Sequence, residues 1–343
     1  MINKPPADPN SDTGTSVGTM PDEEGEAQGP VARESLSPGK LAWRRFRRDR
    51  TGMLSLYIVL AFFLAALLAP VVSMLYGKNP YTQYGVNENL LNSFGYPLKP
   101  NGGISGQFWF GLEPPYGKDV FTELFYGMRT SIGIGVALTI LIIITSVVLG
   151  LLAGYLGGWV DYVVMRVADL LMAFPQQLFF IAFIPVLSAL FFSPRVQTPT
   201  WFRVTILIVV MWFLSWMAVA RILRSAVLSM REREFVEAAK LSGASTWRII
   251  RKEILPNMTT PIVVQGTLLL PTMVSAEAGL SFLGVGVQQP TPDWGRMFQT
   301  GAAVYQSDIT YMVFPTVTMI VFVIAFNLLG DSVRDALDPK SAR

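Results

Sequence analysis

Six apolar runs, 53–75, 130–154, 162–192, 202–220, 261–283 and 311–330, each hold enough residues to cross a bilayer as a helix. A helix rising about 1.5 Å per residue needs about 20 apolar residues to traverse a hydrocarbon core about 30 Å thick. Inside lipid, every backbone N–H and C=O of such a run must be paired within its own segment, so the runs are confined to helices. The expected fold class is an all-α integral membrane protein of six transmembrane helices. The third run is overlong and contains Pro175 and Pro185, which predicts a tilted or broken helix.

Composition agrees: 51% of the 343 residues are hydrophobic, only 15% are charged, and mean hydropathy is +0.43. With neither cysteine nor histidine, the chain has no disulfides, thiol nucleophiles, thiolate metal sites or imidazole acid/base chemistry. The sequence pI near 9.1 raises nucleic acid as a partner, but the basic residues are distributed as a topology signal instead. Six crossings with the N-terminus inside put twenty of the 27 lysines and arginines on the inner side and seven outside. Both termini are therefore expected in the cytoplasm, at the cell membrane, with no nucleic-acid partner. The segment KLAWRRFRRDR, Lys40 to Arg50, is basic with Trp43 and Phe46 interleaved, a pattern suited to nucleic acid or a membrane surface. Because the first apolar run comes directly after it, its reading here is a juxtamembrane topology signal.

The expected organisation is a disordered cytoplasmic tail at 1–38, a basic segment with the first span at 39–76, and an external loop with an interfacial helix at 77–129. A membrane core at 130–330, with a cytoplasmic loop at 221–258, and a cytoplasmic tail at 331–343 complete it. Asp119 is a candidate N-cap for the interfacial helix.

The inner loop is polar and punctuated. Ser229 and Glu232 have capping-box spacing, and Phe235, Ala238, Ala239 and Ser242 form a narrow face of mostly small side chains on a short helix. Gly243 can end that helix in a left-handed turn, and Ser245 can cap a second helix carrying Trp247, Ile250 and Ile254 on one stripe. Pro256 stops or bends it. A helix–turn–helix of this kind between membrane spans is suited to docking on something outside the membrane.

This run, Glu237-Ala238-Ala239, three residues, Gly243, then Leu255-Pro256, resembles the "EAA" loop of ABC-importer permeases, with Glu253 where an isoleucine is usual and Ile254 beside it. Further stretches resemble the dipeptide/oligopeptide permeases, specifically their C-type subunit. They are Phe110-Gly111, Gly117-Lys118-Asp119, Tyr126-Gly127-Met128-Arg129, Ser281-Phe282-Leu283-Gly284, Gly286, Pro290, Trp294-Gly295, Gly330-Asp331 and Arg334 to Pro339. Leu112-Glu113 stands in place of Thr-Asp, and Lys118 in place of an arginine.

The resemblance implies a type I ABC importer transmembrane fold and a permease forming half of a peptide translocation pathway. It also implies ATPase coupling through Glu237, Ala238, Ala239, Gly243, Leu255 and Pro256. No Gly-x4-Gly-Lys-Ser/Thr loop occurs, so no cofactor is expected in this chain, which is not itself an enzyme. ATP and Mg belong to two partner ATP-binding subunits. The other expected partners are a sister permease, an extracytoplasmic substrate-binding protein and the lipid bilayer. Relatives for nickel chelates or oligosaccharides are the alternative within the family, and an ion-coupled secondary carrier is the alternative from another class.

Ionisable groups near membrane depth are costly and often functional. Glu277 is a candidate for lining the pathway; the other reading is a structural carboxylate satisfied by hydroxyls such as Ser275 or Ser281. Arg166 and Asp169 are read as an i,i+3 pair at the cytoplasmic edge or as a gating pair. Gly150, Gly154, Gly157 and Gly158 allow close helix approach, and Trp201, Trp212, Trp216 and Tyr311 supply interfacial anchors.

Overall fold

The computed structural model describes residues 38–192 and 198–338; the expected N-terminal tail, Arg195 and Pro339 lie outside them. A short helix, α1 (Pro38–Phe46), leads into the first span, α2 (Arg50–Tyr76). Asp49 caps α2, accepting from the backbone N–H groups of Thr51 and Gly52 at 3.0 and 3.1 Å. Hydrogen bonding from Ser332 holds its carboxyl below the usual range. The external loop contains only the single turns α3 (Tyr84–Asn87) and a 3-10 turn at Asn101–Gly103 among described helices.

The second span, α4 (Val120–Leu156), starts at Asp119, whose carboxylate accepts from Thr122 N–H at 2.8 Å. Its 37 residues extend about 56 Å at 1.5 Å per residue, well beyond the hydrocarbon core. The helix expected at the interface is thus the outer end of the span and not a separate element. Gly127 does not break it, because its bare face lies against the backbone of Asp293 and Trp294.

The third span is broken. α5 (Gly158–Met172) and α6 (Gln176–Phe191) meet at 84°. The break falls at Pro175, which starts α6, while Pro185 is carried inside that helix. Pro175 opens the break because a proline disfavours helical backbone in the residue before it.

The fourth span, α7 (Thr200–Arg231), runs eleven residues past its expected end. Two acid–base pairs hold that extension to α5: Arg224 with Asp161, Nε and Nη2 each donating to one carboxylate oxygen, and Arg221 with Asp169. The i,i+3 pairing expected between Arg166 and Asp169 is replaced by this cross-helix contact. Ser229 lies within α7 and Glu232 ends it, so the two do not form a capping box.

After the inner loop come α11 (Thr259–Phe282), α12 (Trp294–Val304) and α13 (Thr310–Leu337). α13 continues through residues 331–337, where a tail was expected.

α7 is the centre of the molecule: 61% of its apolar window is buried, against 22% for α2 and 28% for α13, which leave leucines and valines exposed within this chain. α4 lies along α7 because Gly154 has no side chain; a Cβ there would stand 2.8 Å from Val227 Cβ. Two side-chain hydrogen bonds cross the same seam, Ser146 Oγ to Trp216 O and Trp212 Nε1 to Thr145 Oγ1, each 2.9 Å. Trp212 and Trp216 are thus interior clasps and Tyr311 is fully buried, leaving Trp201 exposed among the expected anchors. Gly157 and Gly158 form the turn between α4 and α5 rather than a packing face.

Candidate functional site: the inner loop and the opposite end of its helix

Past Arg231 the chain folds into α8 (Glu234–Leu241), α9 (Thr246–Ile249), a π-turn at Ile250–Ile254, and α10 (Leu255–Asn257). α8 ends in a Schellman motif: Gly243 N–H donates to Lys240 O at 2.9 Å and Ala244 N–H to Ala239 O at 3.0 Å. Gly243 has φ +74°, as this turn requires. Ser245 stands at the N-cap position of α9, where its backbone is extended and its hydroxyl makes no capping bond.

Val236, Ile249, Ile250, Ile254 and Met258 sink into the core around α7 and hold the loop to the membrane domain. Each fully buried aliphatic side chain of this kind contributes about 2 kcal/mol. The face predicted from Phe235, Ala238, Ala239 and Ser242 is split. Phe235 and Ala239 pack inward, while Ala238 and Ser242 are exposed. What α8 presents outward is Glu234, Glu237, Ala238 and Leu241, spaced i, i+3, i+4, i+7, with Leu241 91% exposed.

Trp247 leaves its expected stripe and is 60% exposed, beneath the guanidinium of Arg251 at 5.8 Å. A cavity of about 490 Å³ behind α8 is lined by Tyr155, Arg231, Glu237, Lys240 and Thr246. Arg231 closes its floor, donating to the terminal carbonyls of Gly154 and Tyr155 on α4 at 3.5 and 3.4 Å.

The π-turn accounts for Glu253. Pro256 has no N–H, and its ring would collide with the carbonyl four residues earlier in a regular helix. The wider turn relieves that conflict, and Asn257 Nδ2 takes up Glu253 O at 2.6 Å. One extra residue in a turn rotates the downstream side chains by about 100°. Ile254, fully buried, therefore fills the core position, and Glu253 stays partly exposed. Leu255 packs on the same core and Pro256 is exposed.

Glu277 lies at the other end of α11, fully buried within this chain. Ser281 Oγ donates to its Oε1 at 2.9 Å and accepts from Val287 N–H, also at 2.9 Å. Asp293, capping α12 through Arg296 N–H at 2.6 Å, is buried nearby, and burial pushes its carboxyl up to about 7. This end of the molecule, with the 77–119 loop, holds more buried charge than periodicity and motifs revealed. Lys118 Nζ is 3.5 Å from Glu113 Oε2, both almost wholly buried, and Tyr311 OH donates to Glu123 Oε2 at 3.2 Å. Glu113 and Lys118 are two positions that depart from the peptide-permease pattern. They close a hairpin, with Glu113 N–H on Lys118 O at 2.8 Å, and so compensate each other. Their joint departure, one acid and one base a few residues apart, was the available signal.

A folded polar loop is hung from a domain of long apolar helices, and comparison with known proteins makes this domain the membrane component of a transport system. Residues 146–343 match the binding-protein-dependent transport system inner membrane component family, and residues 37–98 match the N-terminal TM domain of oligopeptide transport permease C. The chain is 33% identical over 306 residues to the dipeptide transport system permease protein DppC of Alkalihalophilus pseudofirmus, covering 89% of this chain and 91% of that one. It is 35% identical over 310 residues to the oligopeptide transport system permease protein OppC of Bacillus subtilis, covering 90% and 92%. With the glutathione transport system permease protein GsiD of Escherichia coli O6:K15:H31 it shares 36% identity over 298 residues, 87% and 89% of the two chains. The chain belongs to the binding-protein-dependent transport inner-membrane permeases, and among them to those with the permease C N-terminal domain.

Proposed function

We propose that this chain is one half of the translocation pathway of an ATP-driven importer for short peptides, working beside a sister permease. The observation that carries the reading is the inner loop: anchored through Val236 and Ile254, it presents Glu237, Ala238, Leu241 and Trp247 to a partner. The peptide class rests on similarity to permeases named for dipeptides, oligopeptides and glutathione. Two ATP-binding subunits hold the ATP and Mg, and a binding protein delivers substrate outside. Both termini and the loop lie in the cytoplasm, as the charge distribution favours.

When the ATPases close, the cleft that seats α8 moves. Because α7 enters the loop and α11 leaves it, the displacement passes into both helices and opens the pathway alternately to each side. Glu237, Ala238 and Gly243 form the docking element, Ala239 seats α8 on the core behind them, and Leu255 and Pro256 set the exit into α11.

Proteoliposomes containing the chain, its sister permease and the ATPases should hydrolyse ATP faster when loaded binding protein and a di- or tripeptide are supplied. Stimulation by a nickel chelate or an oligosaccharide in place of peptides would replace the substrate class. Gradient-driven uptake by the lone chain would replace the mechanism with secondary transport.

Glu277 enters this reading as a structural acid, enclosed by α11 and α12. Glu277→Gln keeps an acceptor for Ser281 and is expected to leave assembly and peptide uptake unchanged. Lost uptake with intact assembly, measured on the same vesicles, would put Glu277 on the pathway.

A further inference from the structure

Residues 40–50 carry five exposed cations besides Arg45 and one acid, and the acid, Asp49, is committed to capping α2. α1 is held to the end of α13 at two points. Phe46 is buried there, and Arg45 Nη1 donates to Asp338 O at 3.0 Å, where a cation also meets the negative end of the helix dipole. These contacts fix which side of α1 faces away. Lys40 and Arg44, one helical turn apart, and Arg47, Arg48 and Arg50 beyond them are all exposed. Trp43, 54% exposed and stacked on Phe46 at 5.8 Å, and Leu41 flank the stripe.

We infer that this face binds the anionic phospholipid headgroups of the leaflet that α2 enters. The charge has the right sign, and every exposed cation except Lys40 is arginine, whose planar fork takes phosphate oxygens in pairs. Its depth is set by the chain. Arg50 is the first residue of α2, a helix of hydropathy 2.7, so the cations stand at the level of the headgroups. An exposed tryptophan beside them suits the boundary between headgroup and acyl chain. A nucleic-acid partner matches the charge but not the direct run into a membrane span. The inference does not depend on the transported substrate.

The chain has no cysteine, so Leu41→Cys gives a single labelling point for an environment-sensitive nitrobenzoxadiazole probe. The labelled full chain is compared in nanodiscs of phosphatidylcholine and of phosphatidylcholine with phosphatidylglycerol at about 3:1, the anionic surface drawing the cations in. The expected result is brighter, shorter-wavelength emission in the anionic nanodiscs, reversed by raised salt. The difference should vanish when Lys40, Arg44, Arg47 and Arg48 are all changed to glutamine. Equal emission in the two lipids would overturn the proposal. So would a lipid-dependent shift that survives the quadruple substitution, or a shift produced by an oligonucleotide in phosphatidylcholine with none from phosphatidylglycerol. The lipid comparison uses the native cations, so it decides the matter even if the quadruple variant does not insert.

Discussion

In a Gly243→Asp variant, the chain inserts and assembles, but ATP hydrolysis no longer responds to loaded binding protein and peptide. Added side-chain bulk costs the lone chain nothing, because a Cβ at Gly243 meets no atom within 4 Å. The backbone is different: φ +74° is left-handed, and a residue with a Cβ is strained there by about 1 kcal/mol. Aspartate tolerates that region better than most residues, so α8 itself survives. The space that is open in this chain is where the proposed partner sits, and a carboxylate at the tip of the Schellman turn adds both volume and an unpaired charge to that contact. Gly243→Ala carries only the strain and a methyl group, and should retain most of the stimulation. The two variants separate geometry from docking when basal and peptide-stimulated ATPase rates are measured on vesicles with matched subunit content. Full stimulation in the aspartate variant would remove Gly243 from the coupling element.

Gly295→Ala is expected to act through folding instead. α12 lies so close to α11 that a Cβ on Gly295 would overlap the Ala278 carbonyl oxygen and stand 2.5 Å from Ser281 Cβ. The opposing atom is helix backbone and cannot swing aside. Relief requires α12 to lift off, breaking the set of contacts around Ser281, where Glu277, Val287 N–H and the α12 cap at Asp293 converge. Overpacking of this sort costs about 3 kcal/mol. Thermal unfolding in detergent, followed by loss of the monodisperse peak on size exclusion, should occur at markedly lower temperature than for the parent. Gly133→Ala, at a helical glycine whose Cβ meets nothing within 4 Å, is the matched control and should unfold with the parent.

The contrast between these glycines mirrors how much of the chain was legible in the sequence. Gly243 could be assigned to a left-handed turn from the residues around it, since a helix terminating in a Schellman motif is a local event. Gly295 was visible only as part of a motif, because its reason is a carbonyl on another helix. The inner loop divides in the same way. Its two short helices were readable from spacing and from Gly243, but the capping box expected at Ser229 and Glu232 and the cap bond expected from Ser245 do not form. Which of Phe235, Ala238, Ala239 and Ser242 face the core was not, since helical periodicity defines a stripe but not the partner it meets. Trp247 left its predicted stripe ahead of the π-turn, and Ile254 took the place denied to Glu253 because the π-turn before Pro256 changed the angular register. Glu113 and Lys118 looked like two unrelated departures until the hairpin set them against each other.

What the sequence by itself determined about this protein is the helical class, the runs long and apolar enough to cross a membrane, the break near a proline and the position of the polar loop. Lipid admits only backbone that pairs within its own segment, and that constraint is written in run length and charge. Only the tertiary structure decided that α7 is the central helix, that Arg224 and Arg221 reach across to Asp161 and Asp169, and that the helix capped by Asp119 runs unbroken into the second span. It also decided that Glu277 is enclosed rather than free. Those outcomes depend on which faces meet, and a face is chosen by the shape and charge of another segment far away in the chain.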